Sequence, residues 1–155
     1  MDYLNLEKKS LNPVVEELNQ LLAEYHIYYQ NLRRYHWHVQ GSNFFDLHVK
    51  FEELYTSAQL SIDEIAERIL TVRQKPIATY KEYLDMATIK EVKSVDDHKM
   101  VEHILQNHKI IIDQMRVVLD KASEAEDEGT TDIIAGFLSS LEKSSWMLDA
   151  WLAKS

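Results

Sequence analysis

The fold is decided by one long amphipathic stretch, residues 46–75, which reads DLHVKFEELYTSAQLSIDEIAERILTVRQK. A helix turns by about 100° per residue, so side chains three and four positions apart share a face. The apolar side chains of this stretch share such a face: Leu47, Phe51, Leu54, Ala58, Ile62, Ile65 and Ile69. Pro76 follows, and proline cannot continue a helix. The pattern predicts a helix from about Asp46 to Lys75 with one face in a core.

Three further long helices are predicted from apolar periodicity and from residues that favour helix ends. Their expected bounds are Asn12-Pro13 to about Val39, Ser94-Val95-Asp96-Asp97 to about Ala122, and Thr130 or Thr131 to about Ala153. A short helix is predicted at 79–84, within the long connection before the third long helix. The expected fold class is therefore all-α: a four-helix bundle with a crossover connection, forming a single domain over residues 1–155.

Composition excludes several classes of protein. The chain has 155 residues, only three glycines and two prolines, no cysteine, and a formal net charge of −9. Without cysteine there are no disulfides or thiolate metal sites, so His, Asp and Glu are the only good metal ligands. No apolar run approaches the roughly 20 residues of a membrane span, and the first residues lack the features of a signal peptide. A cytoplasmic location is expected.

A polar stripe lies beside the apolar face of residues 46–75. It contains His48, Glu52, Tyr55, Thr56, Gln59, Asp63 and Glu67. On the pattern alone, a solvated helix face is the commoner explanation for such a stripe. The stripe has no Lys or Arg, however, although both occur elsewhere on the same segment. Carboxylates and a histidine without compensating charge, next to a core edge, indicate metal ligands.

The spacing of these residues limits how they could share a metal. His48 and Glu52 are one turn apart, as are Asp63 and Glu67, so each pair is adjacent on the helix surface. The two pairs are separated by about 16 Å at 1.5 Å per residue, which is too far for one ion. An antiparallel copy of the helix, related by a two-fold axis near residues 57–58, would bring opposite pairs together. The Glu-x-x-His motif of intrachain di-iron bundles is absent.

Two segments together resemble a known family. Residues 36–48 read HWHVQGSNFFDLH and residues 63–68 read DEIAER. They are similar to the pattern H-W-x-V-x-G-x-N-F-x-x-x-H, then D-x-x-x-E-R, of the Dps family (DNA-binding protein from starved cells), the miniferritins. The likeness covers nearly the whole chain, including the order of the predicted helices. It implies a ferritin-like fold and a hollow homo-dodecamer with ferroxidase sites at its two-fold interfaces.

The resemblance also implies a ligand set. His36 and His48 would come from one subunit, and Glu52, Asp63 and Glu67 from the other. His36, Asp63 and Glu67 would bind the tighter of two irons, and His48 and Glu52 the weaker one. Family members usually have Asp where this chain has Glu52. Each site would oxidise Fe(II), preferably with hydrogen peroxide, so the protein would store iron and protect against oxidative stress.

Four further residues receive roles from the resemblance. Trp37 matches a tryptophan near the iron centre of family members. Asp127 and Asp132 lie where the family has an acidic three-fold pore for iron uptake, although acidic residues at a helix start are as often simple partners of the helix dipole. Glu53 is a weaker candidate for nucleating mineral on the inner surface.

The remaining histidines and aromatic residues are expected to be structural. His38 would point away from His36, because residues two apart on a helix differ by about 200°. His98, His103 and His108 are five apart and rotate around their helix, so solvated or packed side chains are expected. The tyrosines at 25, 28, 29 and 35 have helical spacing, which more often indicates core packing than an electron relay.

The main alternative function is nucleoid protection by direct DNA binding, with little ferroxidase activity. Binding of this kind relies on clustered Lys and Arg that contact phosphates. Before the first helix the chain has only Lys8 and Lys9, offset by acidic residues, and its last residues offer only Lys154. Twelve chains at −9 each would carry −108. DNA binding is therefore not expected, nor is any contact with a membrane.

Overall fold

A computed structural model describes residues 3–93 and 96–153. Its helices are α1 (Lys8–His38), α2 (Phe44–Thr71), α3 (Tyr80–Met86), α4 (Asp97–Glu124) and α5 (Glu128–Leu152). The first long helix packs against both α2 and α4, and α4 packs against α5. The expected all-α bundle with a short helix in its long connection is confirmed. No helix in these two described ranges is long and apolar enough to cross a membrane.

The start of α1 differs from the prediction. The helix begins at Lys8, so Pro13 lies inside it and not at its first turn. Proline removes one backbone hydrogen bond from a helix interior, which is unfavourable. Leu11, two residues before the proline, and Val14, directly after it, are buried in the core. Their burial outweighs the lost bond and extends the helix by about one turn towards the N-terminus.

The end of α2 was also predicted too late. The helix stops at Thr71, and Arg73 adopts a positive φ of 62°. The backbone N–H of Gln74 donates to the carbonyl of Ile69 at 3.0 Å, and that of Arg73 to Leu70 at 2.9 Å. These two bonds form a Schellman motif, which satisfies the last carbonyls of the helix. Pro76 therefore lies beyond a helix end that the backbone has already made.

The long connection is fixed to α1 by a buried carboxylate. Glu24 is 1% exposed, and its oxygens accept hydrogen bonds from the backbone N–H groups of Thr88 at 2.8 Å and Ile89 at 2.9 Å. Just before this point α3 begins with a capping box between Thr79 and Glu82. The predicted short helix is thereby confirmed, and it continues to Met86.

The starts of α4 and α5 rest on aspartates. At the helix start predicted at 94–97, Ser94 and Val95 lie outside the described residues. The N-cap of α4 is Asp96, which accepts from the N–H of Lys99 at 3.0 Å. The N-cap of α5 is Asp127, and not Thr130 or Thr131 as predicted. Asp127 accepts from the N–H of Thr130, so the helix starts at Glu128.

Candidate metal centre

Two histidines from different helices hold each other in a fixed orientation. His36 lies in the last turn of α1 and His48 near the start of α2. Nδ1 of His36 is 2.7 Å from the backbone oxygen of His48, and Nδ1 of His48 is 2.7 Å from the backbone oxygen of His36. The two rings stack with their centroids 3.8 Å apart. The turn between the helices thus brings the two side chains into a reciprocal pair.

This pairing decides which nitrogen of each ring is available to a metal. A carbonyl oxygen can only accept a hydrogen bond, so each Nδ1 must carry the hydrogen. In a neutral imidazole the other nitrogen, Nε2, then has a free lone pair. Metal-binding histidines in proteins are commonly oriented in this way by a bond from the non-ligating nitrogen. In both His36 and His48 it is therefore Nε2 that has the lone pair a metal ion would need.

Aromatic side chains enclose the two histidines. The ring of Phe44 stacks on His48 at a centroid distance of 4.8 Å. Tyr55 meets His36 edge-on at 5.3 Å, and only 8% of His36 is exposed. The sequence contained a signal for the Phe44 contact, since Phe44 and His48 are four residues apart on one helix. These contacts restrict rotation of the two imidazole rings.

The three carboxylates of the stripe lie on the exposed side of α2. Glu52, Asp63 and Glu67 are exposed, and within the described residues none of their side chains forms an ion pair or hydrogen bond. In the ranges 3–93 and 96–153 no three His, Asp or Glu side chains are grouped closely enough to hold a metal. Within the described residues of one chain, the histidine pair and the carboxylates therefore do not form a complete metal site.

Comparison with known proteins places this arrangement in a family. Residues 15–155 match the ferritin-like domain family. DNA protection during starvation protein 2 of Bacillus anthracis is 41% identical over 140 residues, which are 90% of this chain and 96% of the relative. The chain belongs to the Dps family.

Solved structures of Dps proteins have the same fold. The Dps protein of Vibrio cholerae O1 superposes with a TM-score of 0.94 at 40% identity, covering 99% of this chain and 97% of that one. It is described as a member of a broad superfamily of ferritin-like diiron-carboxylate proteins. Dps from Staphylococcus aureus has a TM-score of 0.89 at 40% identity, covering 92% of this chain and 96% of the other.

Trp37 of this Dps chain is next to the histidine pair but faces outwards. Its side chain is 55% exposed. The guanidinium carbon of Arg33 lies 4.9 Å from the Trp37 ring centroid and 5.2 Å from that of Tyr29. Arg33 therefore links two aromatic rings along the exposed side of α1 by cation–π contacts.

The two aspartates expected at an uptake pore occupy different environments. Asp127 is 1% exposed, and its carboxylate accepts from the guanidinium of Arg68 at 2.5 Å and from the hydroxyl of Thr130 at 2.6 Å. This carboxylate is committed to partners within the chain. Asp132 is exposed in the first turns of α5. Glu53, the candidate nucleation residue, is exposed but paired with Lys50 at 2.5 Å.

The other histidines are exposed, as expected for His38, or contact other side chains of the chain. His38 is exposed. His98 pairs with Asp97 at the start of α4, and His26 stacks on Tyr83 with ring centroids 3.7 Å apart. Burial lowers the pKa of His26 to about 4. His103 and His108 pack into the interface between α1 and α4, and each is hydrogen-bonded to a tyrosine hydroxyl.

Proposed function

We propose that this Dps chain is a ferroxidase that oxidises Fe(II) at sites shared between two subunits and stores the ferric product. The observation that carries the proposal is the reciprocal bonding of His36 and His48, which leaves both Nε2 atoms available. Iron is the substrate here. Imidazole nitrogen and carboxylate oxygen suit it as ligands, and the side chains of Glu52, Asp63 and Glu67 have no ion pair or hydrogen bond within the described residues.

The candidate ligands on the exposed face of α2 are spaced symmetrically about its middle, which fits contact with an antiparallel second copy of the helix. Glu52 and Asp63 are equally distant from the point between residues 57 and 58, and so are His48 and Glu67. A two-fold axis there would place each member of a pair opposite its counterpart in the partner. Phe45 and Leu70, 81% and 56% exposed, are also related in this way. They would cover each other at the two ends of the contact and keep water away from the iron sites.

This arrangement groups Glu52 with the histidines. Glu52 lies one helical turn from His48 on the same chain, and about 16 Å along the helix from Asp63. The proposed site therefore takes His36, His48 and Glu52 from one subunit and Asp63 and Glu67 from the other. The resemblance alone had placed Glu52 on the same subunit as Asp63 and Glu67. His36 with the two partner carboxylates would bind one iron, and His48 with Glu52 the second.

The ligand set determines the chemistry. Hard carboxylate oxygens stabilise Fe(III) relative to Fe(II), so they favour loss of an electron. Two adjacent irons can give two electrons to one hydrogen peroxide molecule, whose O–O bond breaks. Each Fe(II) becomes Fe(III), the peroxide oxygens are reduced to the level of water, and no hydroxyl radical leaves the site. Hydrolysis of Fe(III) then releases protons and deposits ferric oxyhydroxide.

The product would collect in a homo-dodecameric cage. Asp132 is the remaining exposed candidate for an acidic uptake pore, since Asp127 is occupied by Arg68. Removing Fe(II) and peroxide together limits oxidative damage. That role is compatible with the name of the Bacillus anthracis relative, a DNA protection during starvation protein.

The decisive experiment compares the wild type with an Asp63→Ala/Glu67→Ala variant. Fe(II) is added anaerobically to the purified protein, then hydrogen peroxide, and ferric absorbance is followed. Rapid oxidation in the wild type and its loss in the variant are expected, with the cage still assembled by sedimentation. Glu64→Ala is the matched control, because Glu64 is an exposed neighbour of Asp63 on a different side of α2. Equal slow rates in all three proteins would refute the ferroxidase assignment.

A further inference from the structure

A buried hydrogen-bonded chain connects α1, α4 and α5, away from the candidate metal centre. The hydroxyl of Tyr28 lies 2.8 Å from Nε2 of His108, and Nδ1 of His108 lies 2.8 Å from the hydroxyl of Ser145. Tyr28 is 2% exposed and His108 is 0% exposed. Neither group has a part in binding iron as proposed above.

The donor and acceptor of each hydrogen bond in the Tyr28–His108–Ser145 series follow from the partner of Ser145. Ser145 donates its hydroxyl hydrogen to the carbonyl of Leu141 at 2.8 Å, so its oxygen must accept from Nδ1–H of His108. Nε2 of His108 then has the lone pair and accepts from the hydroxyl of Tyr28. Burial lowers the pKa of His108 to about 3, so the ring is neutral at pH 7. Burial also raises the pKa of Tyr28 well above its usual range, so the phenol keeps its proton.

A second pair of a tyrosine hydroxyl and a histidine ring lies along the interface between α1 and α4. The hydroxyl of Tyr35 lies 2.7 Å from Nδ1 of His103. Burial lowers the pKa of His103, and a backbone hydrogen bond at Lys90 opposes that shift. His103 is only partly buried, whereas His108 is completely enclosed. Of these two tyrosines, Tyr28 has the proton acceptor that is better shielded from water.

Tyr28 is also near an open groove between α2 and α5. The groove has a volume of about 330 Å³, and Tyr25 and Tyr28 line it together with Ser57, Ser61, Ser140 and Ser144. The groove therefore runs beside two tyrosines that are themselves buried. The rings of Tyr25 and Tyr28 are 6.0 Å apart in an edge-to-face contact.

We infer that Tyr28 is a redox-active tyrosine that gives one electron to a peroxide-derived oxidant while His108 takes its proton. This inference rests on the proposed function for the source of its oxidant. A second electron donor is needed when a site holds a single Fe(II), because one iron supplies only one of the two electrons that peroxide requires. Tyr28 then supplies the other.

The step balances in atoms and electrons. One Fe(II) and hydrogen peroxide give Fe(III), hydroxide and a hydroxyl radical. The radical takes an electron from Tyr28 and a proton from solvent and becomes water. The phenol proton of Tyr28 passes to Nε2 of His108, which leaves a neutral tyrosyl radical beside an imidazolium. A later Fe(II) returns the electron, the proton moves back from His108, and two Fe(II) have been oxidised per peroxide.

The distance to the iron site suits electron transfer through the protein. Tyr28 and His36 are eight residues apart on α1, or about 12 Å along the helix axis. Contacts between aromatic rings also lead from His36 towards Tyr28. His36 contacts Tyr55 at 5.3 Å, and Tyr55 contacts Tyr29, the neighbour of Tyr28, at 6.0 Å.

The test is rapid-freeze electron paramagnetic resonance of the assembled protein. Fe(II) is added at less than one ion per chain, followed by hydrogen peroxide. A tyrosyl radical signal is expected, narrowed when the protein contains ring-deuterated tyrosine. Tyr28→Phe should abolish the signal, and a spin trap should detect more hydroxyl radical. Tyr29→Phe is the matched control, because Tyr29 is nearer the site by ring contact but is not hydrogen-bonded to an imidazole among the described residues.

A second variant separates proton transfer from structure. His108→Gln keeps a hydrogen-bond acceptor for Tyr28 but provides no base, so the radical signal should be lost although the cage still forms. A signal that persists in Tyr28→Phe or in His108→Gln would overturn the inference. So would a signal that disappears only in Tyr35→Phe.

An iron-free oxidation experiment distinguishes failure of this inference from failure of the proposed ferroxidase activity. Photogenerated ruthenium(III) tris-bipyridine is a one-electron oxidant that needs no iron. If it produces the Tyr28 radical while peroxide fails to oxidise Fe(II), the tyrosine assignment stands and the ferroxidase proposal fails. If Fe(II) is oxidised normally and neither oxidant gives the radical, the tyrosine assignment fails alone.

Discussion

The imidazoles of His36 and His48 each donate a 2.7 Å hydrogen bond from Nδ1 to the backbone oxygen of the other residue. The relationship joins the end of α1 to the start of α2 across the turn at residues 39–43. It sets the tautomer of both rings with no other side chain involved. Two ligand atoms of the candidate metal centre are thus prepared by the backbone before any metal binds.

Replacing His48 with Phe should remove one of the two irons from each site. A phenyl ring can still stack between Phe44 and His36, so the local packing survives, but Nε2 is lost. Anaerobic calorimetric titration with Fe(II) should show about half of the wild-type stoichiometry, because His36 and the partner carboxylates still hold the tighter ion. His38→Phe is the control, since His38 is exposed two residues from His36. Unchanged stoichiometry in His48→Phe would contradict the assignment of His48.

Acid should destabilise the protein through His108. In the folded state burial lowers the pKa of His108 to about 3, from an ordinary value of 6.5. Between these values the unfolded chain binds a proton that the folded chain does not, so stability is lost as pH falls below about 6.5. His26, with its pKa lowered to about 4, acts in the same direction.

The size of this effect can be measured with His108→Gln. From pH 7.5 to pH 5, His108 should account for a loss of roughly 2 kcal/mol in the free energy of unfolding. Denaturant unfolding at one protein concentration should therefore show a weaker dependence on pH in the variant than in the wild type. Identical pH dependence in both would mean that His108 is protonated as readily in the folded state as in the unfolded one.

Helix periodicity was sufficient to predict the bundle and to place Glu52, Asp63 and Glu67 on one face of α2. Those residues are related by local spacing, which a sequence displays directly. The reciprocal bonds of His36 and His48 depend on the path of the chain between two helices, which spacing does not reveal. The role of Asp127 depends on Arg68, 59 residues away in the sequence. Helix ends were misplaced where burial of Leu11, or a Schellman motif at Arg73, outweighed the signal of a nearby proline.

The protein should not bind DNA by simple charge attraction. Its net charge of −9 per chain repels a phosphate backbone. In a gel-shift assay at low salt without divalent cations, plasmid DNA should migrate unchanged at all protein concentrations. A basic protein that retards the same DNA serves as the positive control. Clear retardation by this protein would favour the alternative function, direct protection of the nucleoid.

Arg68 and Asp127 should matter for stability, and Asp132 for iron uptake. The Asp127 side chain is 0% exposed and Arg68 is 13% exposed, so Arg68→Ala would leave a buried carboxylate without its partner. Loss of one member of a buried ion pair costs about 3–5 kcal/mol, which corresponds to a fall in Tm of roughly 10 °C. Gly129→Ala should act in the same direction, because an added Cβ would lie 2.8 Å from the Arg68 guanidinium.

Asp132→Asn provides the contrast. Asp132 is exposed, so its Tm should stay within about 2 °C of the wild type. Its rate of ferric core formation at limiting Fe(II) should fall, because a neutral amide attracts cations less than a carboxylate does. Calorimetry gives the Tm, and ferric absorbance the rate of core formation, for Arg68→Ala and Asp132→Asn. If Asp132→Asn leaves uptake unchanged while Asp127→Asn slows it without lowering Tm, the pore role belongs to Asp127 and its pairing with Arg68 must open in the assembled cage.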